Sequence, residues 1–133
     1  MGLRVLVIDD DQVQLTLFER VWSRLRPEWC ITTQLATANF EGDLTEGMSS
    51  DFNLVVLDER LGSQQGSACA AGVARRCLDK DGVLVLMTGS PETVAVTDDV
   101  VAAVVGKPFS LAETEDFLQC LERTIETRQQ SGH

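Results

Sequence analysis

The chain has 133 residues, 44% hydrophobic and 24% charged, and its 21 acids outnumber 11 Lys and Arg for a net charge of −10. That length holds one domain with a buried core. The aliphatic content excludes a disordered chain, and the acidic balance gives no overall attraction to nucleic acid.

No apolar run approaches the roughly 18 residues of a membrane span. The start, Met1-Gly2-Leu3-Arg4, is not expected to act as a signal peptide, and Leu6 stands where a myristoylation signal wants Ser or Thr. The expectation is a cytoplasmic protein. The cysteines, Cys30, Cys69, Cys77 and Cys120, form no C-x-x-C pair, and the only histidine is His133. That pattern argues against zinc and for buried or half-buried reduced thiols.

In chain order, residues 3–8 form an apolar run without polar alternation, as suits a strand buried on both faces. Val13, Leu17, Val21 and Leu25 then recur every fourth residue, with Phe18 and Trp22 alongside, predicting an amphipathic helix closed by Pro27. Trp22 and Trp29 are expected in packing, and Arg20, Arg24 and Arg26 on a solvated face. Residues 30–36 read as an edge strand, and 39–48 as a short helix weakened by Gly42 and Gly47. Residues 54–57 form the next buried strand. Residues 68–78 form an Ala-rich helix closed by an Asp81-Gly82 turn.

Residues 83–87 and 100–105 complete the strands. Between them, Ser90-Pro91-Glu92 opens a fourth helix with an N-cap and a first-position proline. Ser110 to Glu113 fits a capping box for the last helix, whose buried side carries Phe117, Leu118, Leu121 and Ile125. The expected domain is residues 1–127, with 128–133 a frayed polar tail. Five alternating strands and helices predict an α/β fold: a five-stranded parallel sheet in the order 2-1-3-4-5 with helices on both faces.

Polar residues gather where the strands end. Asp9, Asp10 and Asp11 follow the first strand, Asp58 the third, Thr88 the fourth and Lys107 the fifth. Ligands of such sheets bind at the carboxyl ends of the strands, at the switch point, here between the first and third. Carboxylates converging there repel unless a cation relieves them, and an all-oxygen set suits Mg²⁺ or Mn²⁺. A lysine and a hydroxyl opposite suit a tetrahedral anion. Asp11 by itself reads as a helix N-cap.

The segments Val7-Ile8-Asp9-Asp10-Asp11, Val56-Leu57-Asp58, Met87-Thr88-Gly89 and Gly106-Lys107-Pro108-Phe109 resemble the signature of response-regulator receiver domains, which have a flavodoxin-like fold. Gly66, 8 residues after Asp58, and Thr88, 30 after it, keep the family's spacing. The resemblance implies that Asp58 accepts a phosphoryl group from a histidine kinase or phosphotransfer protein. It further implies that Asp10 binds Mg²⁺ directly and Asp9 through water, with Asp58 and the Arg60 carbonyl completing the set. Lys107 and Thr88 would hold the phosphoryl oxygens, with the backbone N–H groups of Glu59 and Gly89. The chain would then be a signalling phosphoacceptor in a two-component phosphorelay, not a turnover enzyme, with output by protein contact and no nucleic acid or membrane partner.

Three features depart from the family pattern. Val104 stands where an aromatic is common, which bars the usual coupling of the Thr to a rotating ring. The stretch between Thr88 and Lys107 is short and rich in β-branched residues, so the fourth helix is expected to be brief or irregular. Arg60 carries a cation beside the proposed metal, where it would screen the carboxylates. Three rival readings are weighed. A phosphatase of the haloacid dehalogenase type wants a second Asp where Arg60 stands. A flavin-binding flavodoxin-like protein wants a phosphate loop where three acids stand. A pseudo-receiver would keep the fold as an interaction module without phosphorylation.

Overall fold

Each apolar run finds its hydrogen-bonding partners in another run, and the resulting parallel sheet sets the architecture. The computed structural model describes residues 2–37, 51–61, 64–91, 100–108 and 110–131. Its elements are β1 (Arg4–Asp9), α1 (Gln12–Leu25), β2 (Cys30–Leu35), β3 (Phe52–Asp58) and a short hairpin of β4 (Arg60–Leu61) and β5 (Gln64–Gln65). They continue with α2 (Gly66–Cys77), β6 (Leu78–Thr88), β7 (Val101–Gly106) and α3 (Leu111–Ser131). The sheet runs β2-β1-β3-β6-β7, all parallel, which is the 2-1-3-4-5 order expected from sequence when the hairpin is set aside.

The runs without alternation are buried on both faces, as their sequence requires. Val5, Val7, Leu54, Val56, Val85 and Met87 face a core shared with α1 and α3. Leu6, Ile8, Val55, Leu57, Leu84 and Leu86 face a second core with α2. β2 lies at the sheet edge, as expected. The expected helices at 39–48 and after Pro91 fall largely or wholly outside the described residues.

Local details differ from expectation for physical reasons. The fourfold stripe on α1 does not all face inward: Val13 is 76% and Leu17 56% exposed, while Leu15, Phe18 and Trp22 are buried. Every-fourth spacing drifts about 40° per step around a helix. The large rings decide the rotation: Phe18 stacks on Trp22 at 5.1 Å, and Trp22 meets Phe117 at 5.4 Å. Asp81-Gly82 is not a turn outside the sheet but part of β6, whose pairing advances from Leu78 to Val83 while β3 advances only from Phe52 to Leu54. A Cβ on Gly82 would stand 2.8 Å from the Phe52 carbonyl oxygen, so glycine permits that bulge.

Three other expectations are corrected. Arg26 is not a solvated cation: its side chain is 13% exposed and pairs with Glu115 at 2.8 Å and Glu122 at 3.0 Å, tying α1 to α3. Those hydrogen bonds, with Glu115 first, push the guanidinium above its ordinary value and lower the Glu115 carboxyl. Cys30 is exposed on the edge strand, while Cys69 and Cys77 are buried. α3 continues to Ser131, so part of the expected 128–133 tail is helical.

Candidate functional site

The site is built where β1, β3, β6 and β7 end. Asp9 closes β1 and Asp58 closes β3, and the parallel register sets Ile8 beside Leu57 and Asp58 beside Met87. Asp10 and Asp11 then leave the sheet. Asp11 is the α1 N-cap, accepting from the N–H groups of Val13 at 2.9 Å and Gln14 at 3.3 Å. Its own N–H donates to Asp9 Oδ1 at 3.1 Å, which aims the Asp9 carboxylate.

Asp9, Asp10 and Asp58 each bring a carboxylate oxygen within 4.8 Å of the others. Asp9 is fully buried and Asp58 2% exposed, while Asp10 opens to solvent. Lys107, just beyond β7, places Nζ 3.0 Å from Asp58 Oδ2 and 3.4 Å from Asp9 Oδ2. Among the described residues, no other cation forms an ion pair with these two acids.

Among the described residues, one lysine pairs with the two buried carboxylates of Asp9 and Asp58. Burial first, and the Asp58 charge second, raise the Asp9 carboxyl to about 7 against the opposing pull of Lys107. Burial works to lower the Lys107 ammonium, but its hydrogen bond to Asp58 and the charges of both aspartates outweigh it and hold the ammonium above its ordinary value. The donor set is all oxygen, buried on one side and open on the other, and electrically unfinished. Those properties fit a hard divalent cation such as Mg²⁺.

Thr88 stands beyond Met87 at the end of β6, half-buried, and its Oγ1 accepts the Ser90 N–H at 3.2 Å. Gly89 follows it, exposed, with open space on the side a Cβ would occupy. The sheet ladder continues past this point, because the Lys107 N–H donates to the Thr88 carbonyl at 2.8 Å. That bond fixes the base of the lysine whose tip reaches Asp58.

The backbone donors differ from expectation at one residue. The Glu59 N–H donates to the Met87 carbonyl at 3.0 Å, so the sheet has already taken it. The amide that turns toward the acceptor carboxylate is that of Arg60, 3.3 Å from Asp58 Oδ1. The strand pairing persists one residue past Asp58, a register effect that motif spacing does not reveal. The Arg60 side chain is exposed, and the cation screening Asp9 and Asp58 is Lys107.

No family model and no curated relative matches this sequence. Solved structures do. A non-phosphorylated HemR receiver domain from Leptospira biflexa is 26% identical with a TM-score of 0.62, over 92% of this chain and 94% of that one. This is the receiver fold of response regulators. A BeF3-activated DrrB receiver domain is 25% identical over 95% of this chain and 99% of that one, with a TM-score of 0.59. A CheY-like receiver from Methylobacillus flagellatus aligns at a TM-score of 0.66, 18% identical, over 90% and 98% of the two chains. In this fold, the ends of β1, β3, β6 and β7 carry the acids, hydroxyl and lysine together.

Proposed function

We propose that this receiver domain accepts a phosphoryl group on Asp58 and signals through protein contact. The observation that carries the reading is the pairing of Asp58 Oδ2 with Lys107 Nζ at 3.0 Å beside two further aspartates. A carboxylate oxygen at a strand mouth can attack phosphorus while a lysine neutralises the charge moving through the transferring group.

Asp58 would attack the phosphorus of a phosphohistidine on a kinase or phosphotransfer protein. The O–P bond forms as the N–P bond breaks, and the imidazole nitrogen keeps the electron pair and takes a proton. Lys107 shifts from pairing Asp58 to pairing the phosphoryl oxygens. The Thr88 hydroxyl donates to one of them, and the N–H groups of Arg60 and Gly89 complete the cradle. Asp9, Asp10, Asp58 and the Arg60 carbonyl would hold Mg²⁺, which supplies charge neutralisation for the incoming phosphoryl group.

The chemistry runs on the domain itself and favours a signalling role over turnover. Arg60 occupies the position where a haloacid dehalogenase-type phosphatase needs its second Asp. Donation by a histidine kinase would put the protein in the cytoplasm, and no helix among the described residues is long and apolar enough to cross a membrane.

The test is intact mass after incubation with acetyl phosphate, with and without Mg²⁺, on wild type and Asp58→Asn. A Mg²⁺-dependent gain of one phosphoryl group, absent in the variant, supports the reading. No gain under conditions where Mg²⁺ binds would favour a pseudo-receiver, a reading to which Val104, half-buried where an aromatic is common, lends support.

A further inference from the structure

We infer that the Glu59 side chain is a positioning residue for the metal and phosphoryl site: it locks the Asp58–Arg60 turn to the start of α2. The inference rests on the proposed function for its meaning, but the geometry behind it is independent.

Glu59 directly follows the acceptor, yet its carboxylate belongs to a different partner from the other acids of the mouth. Oε1 accepts the Ser67 backbone N–H at 2.6 Å, and Oε2 accepts the Ser67 hydroxyl at 3.0 Å. The Glu59 carboxylate thus sits at the α2 N-terminus, where orphan amides and the helix dipole favour negative charge. Gln65, which precedes α2, makes no side-chain cap, so Glu59 does that work from outside the helix.

The Glu59 backbone is fixed as well. Its N–H donates to the Met87 carbonyl at 3.0 Å, and its carbonyl accepts the Gly66 N–H at 2.7 Å. One residue therefore ties the turn to β6 on one side and to α2 on the other. Gly66 makes the close approach possible: a Cβ there would overlap the Asp58 carbonyl oxygen and stand 3.1 Å from the Glu59 Cα.

The residues on either side of Glu59 carry the chemistry. Asp58 presents its carboxylate, and Arg60 returns its N–H to Asp58 Oδ1 at 3.3 Å. With Glu59 held on both sides, the turn cannot rotate the Arg60 amide and carbonyl away from the mouth. Directing this carboxylate to α2 also withholds a fourth acid from a cluster that is already short of positive charge. Supports of this kind, one step removed from the ligands, commonly govern metal affinity.

The experiment titrates Mg²⁺ calorimetrically into wild type, Glu59→Ala, Glu59→Gln and Ser67→Ala, each at a temperature where circular dichroism shows it fully folded. Acetyl phosphate labelling rates follow on the same samples. Glu59→Ala is expected to weaken Mg²⁺ binding about tenfold and to slow labelling at least as much. Glu59→Gln keeps an acceptor oxygen for the Ser67 amide and should recover most of both, and Ser67→Ala should fall between. A purely structural cap would lower the melting temperature and leave Mg²⁺ affinity unchanged in the folded protein, which overturns the inference. If Glu59→Ala does not fold, Ser67→Ala decides: weakened Mg²⁺ binding supports the inference, and wild-type binding overturns it. Wild type that is labelled while Glu59→Ala matches it sinks the inference alone. Wild type that neither binds Mg²⁺ nor is labelled sinks both readings.

Discussion

Lys107 reaches from the end of β7 across the end of β6 to Asp58 on β3, Nζ to Oδ2 at 3.0 Å. The lysine holds a place that two other groups compete for, a divalent cation and a phosphoryl group. Lys107→Ala should therefore separate the two. Mg²⁺ binding should tighten, because Asp9 and Asp58 lose the cation that pairs with them, while labelling by acetyl phosphate should slow by at least about tenfold. Calorimetry and mass spectrometry on one preparation read both; weaker Mg²⁺ binding would contradict the competition.

Asp9 should make the metal-free protein lose stability as pH rises. Its carboxyl is raised to about 7 in the folded chain, first by burial, from an ordinary value of 3.8. Between those values the folded state binds the proton more tightly than the unfolded state, so the Asp9 contribution is fullest at low pH and is lost as pH climbs toward 7. Melting curves in EDTA at pH 5 and 7.5 should show wild type falling relative to Asp9→Asn, by roughly 5 °C for each kcal/mol lost. Saturating Mg²⁺ should remove that difference. A gap between the two proteins that does not change with pH would refute the assignment.

Arg26 should matter for stability and not for chemistry. Its mostly buried guanidinium bridges α1 and α3, pairing with Glu115 and Glu122. Its acids are more than a third exposed at their outer edges, which screens the interaction, so Arg26→Ala should cost about 1–2 kcal/mol. Urea denaturation measures this, with labelling at Asp58 expected to match wild type in the folded range. Arg26→Lys should recover only part, since a single ammonium cannot fork to Glu115 and Glu122.

Gly66→Ala should damage both properties. The added methyl overlaps the Asp58 carbonyl oxygen, and the atoms it meets are all backbone of Asp58 and Glu59, with no flexible side chain to displace. A loss of about 2 kcal/mol or more is expected, together with slower labelling in whatever fraction folds. Wild-type melting and labelling would mean that α2 can withdraw from the strand end at no cost.

The chain's order of strands, and the gathering of Asp9, Asp10, Asp58, Thr88 and Lys107, were legible because each apolar run stops at a polar residue. Burial on both faces leaves no alternation to misread, and a parallel sheet brings all those ends to one edge. The rotation of α1 was not legible, since Val13 and Leu17 have the right chemistry but Phe18 and Trp22 have the larger rings to bury. Nor was the identity of the backbone donor, which depends on whether the ladder stops at Asp58 or at Glu59. The roles of Glu59 and Arg26 rest on partners 8 and 89 or more residues away, and no local spacing announces them.

Strand direction has a practical outcome. β1 begins at the end of the strands opposite the acids, and Arg128 near the end of α3 lines a cleft with Lys80, Gly82 and Val83 at that same far end. A linker joined at either position would emerge on the side of the molecule turned away from Asp58. The domain can thus be tethered to a surface, or to a reporter, with its mouth still facing incoming donors.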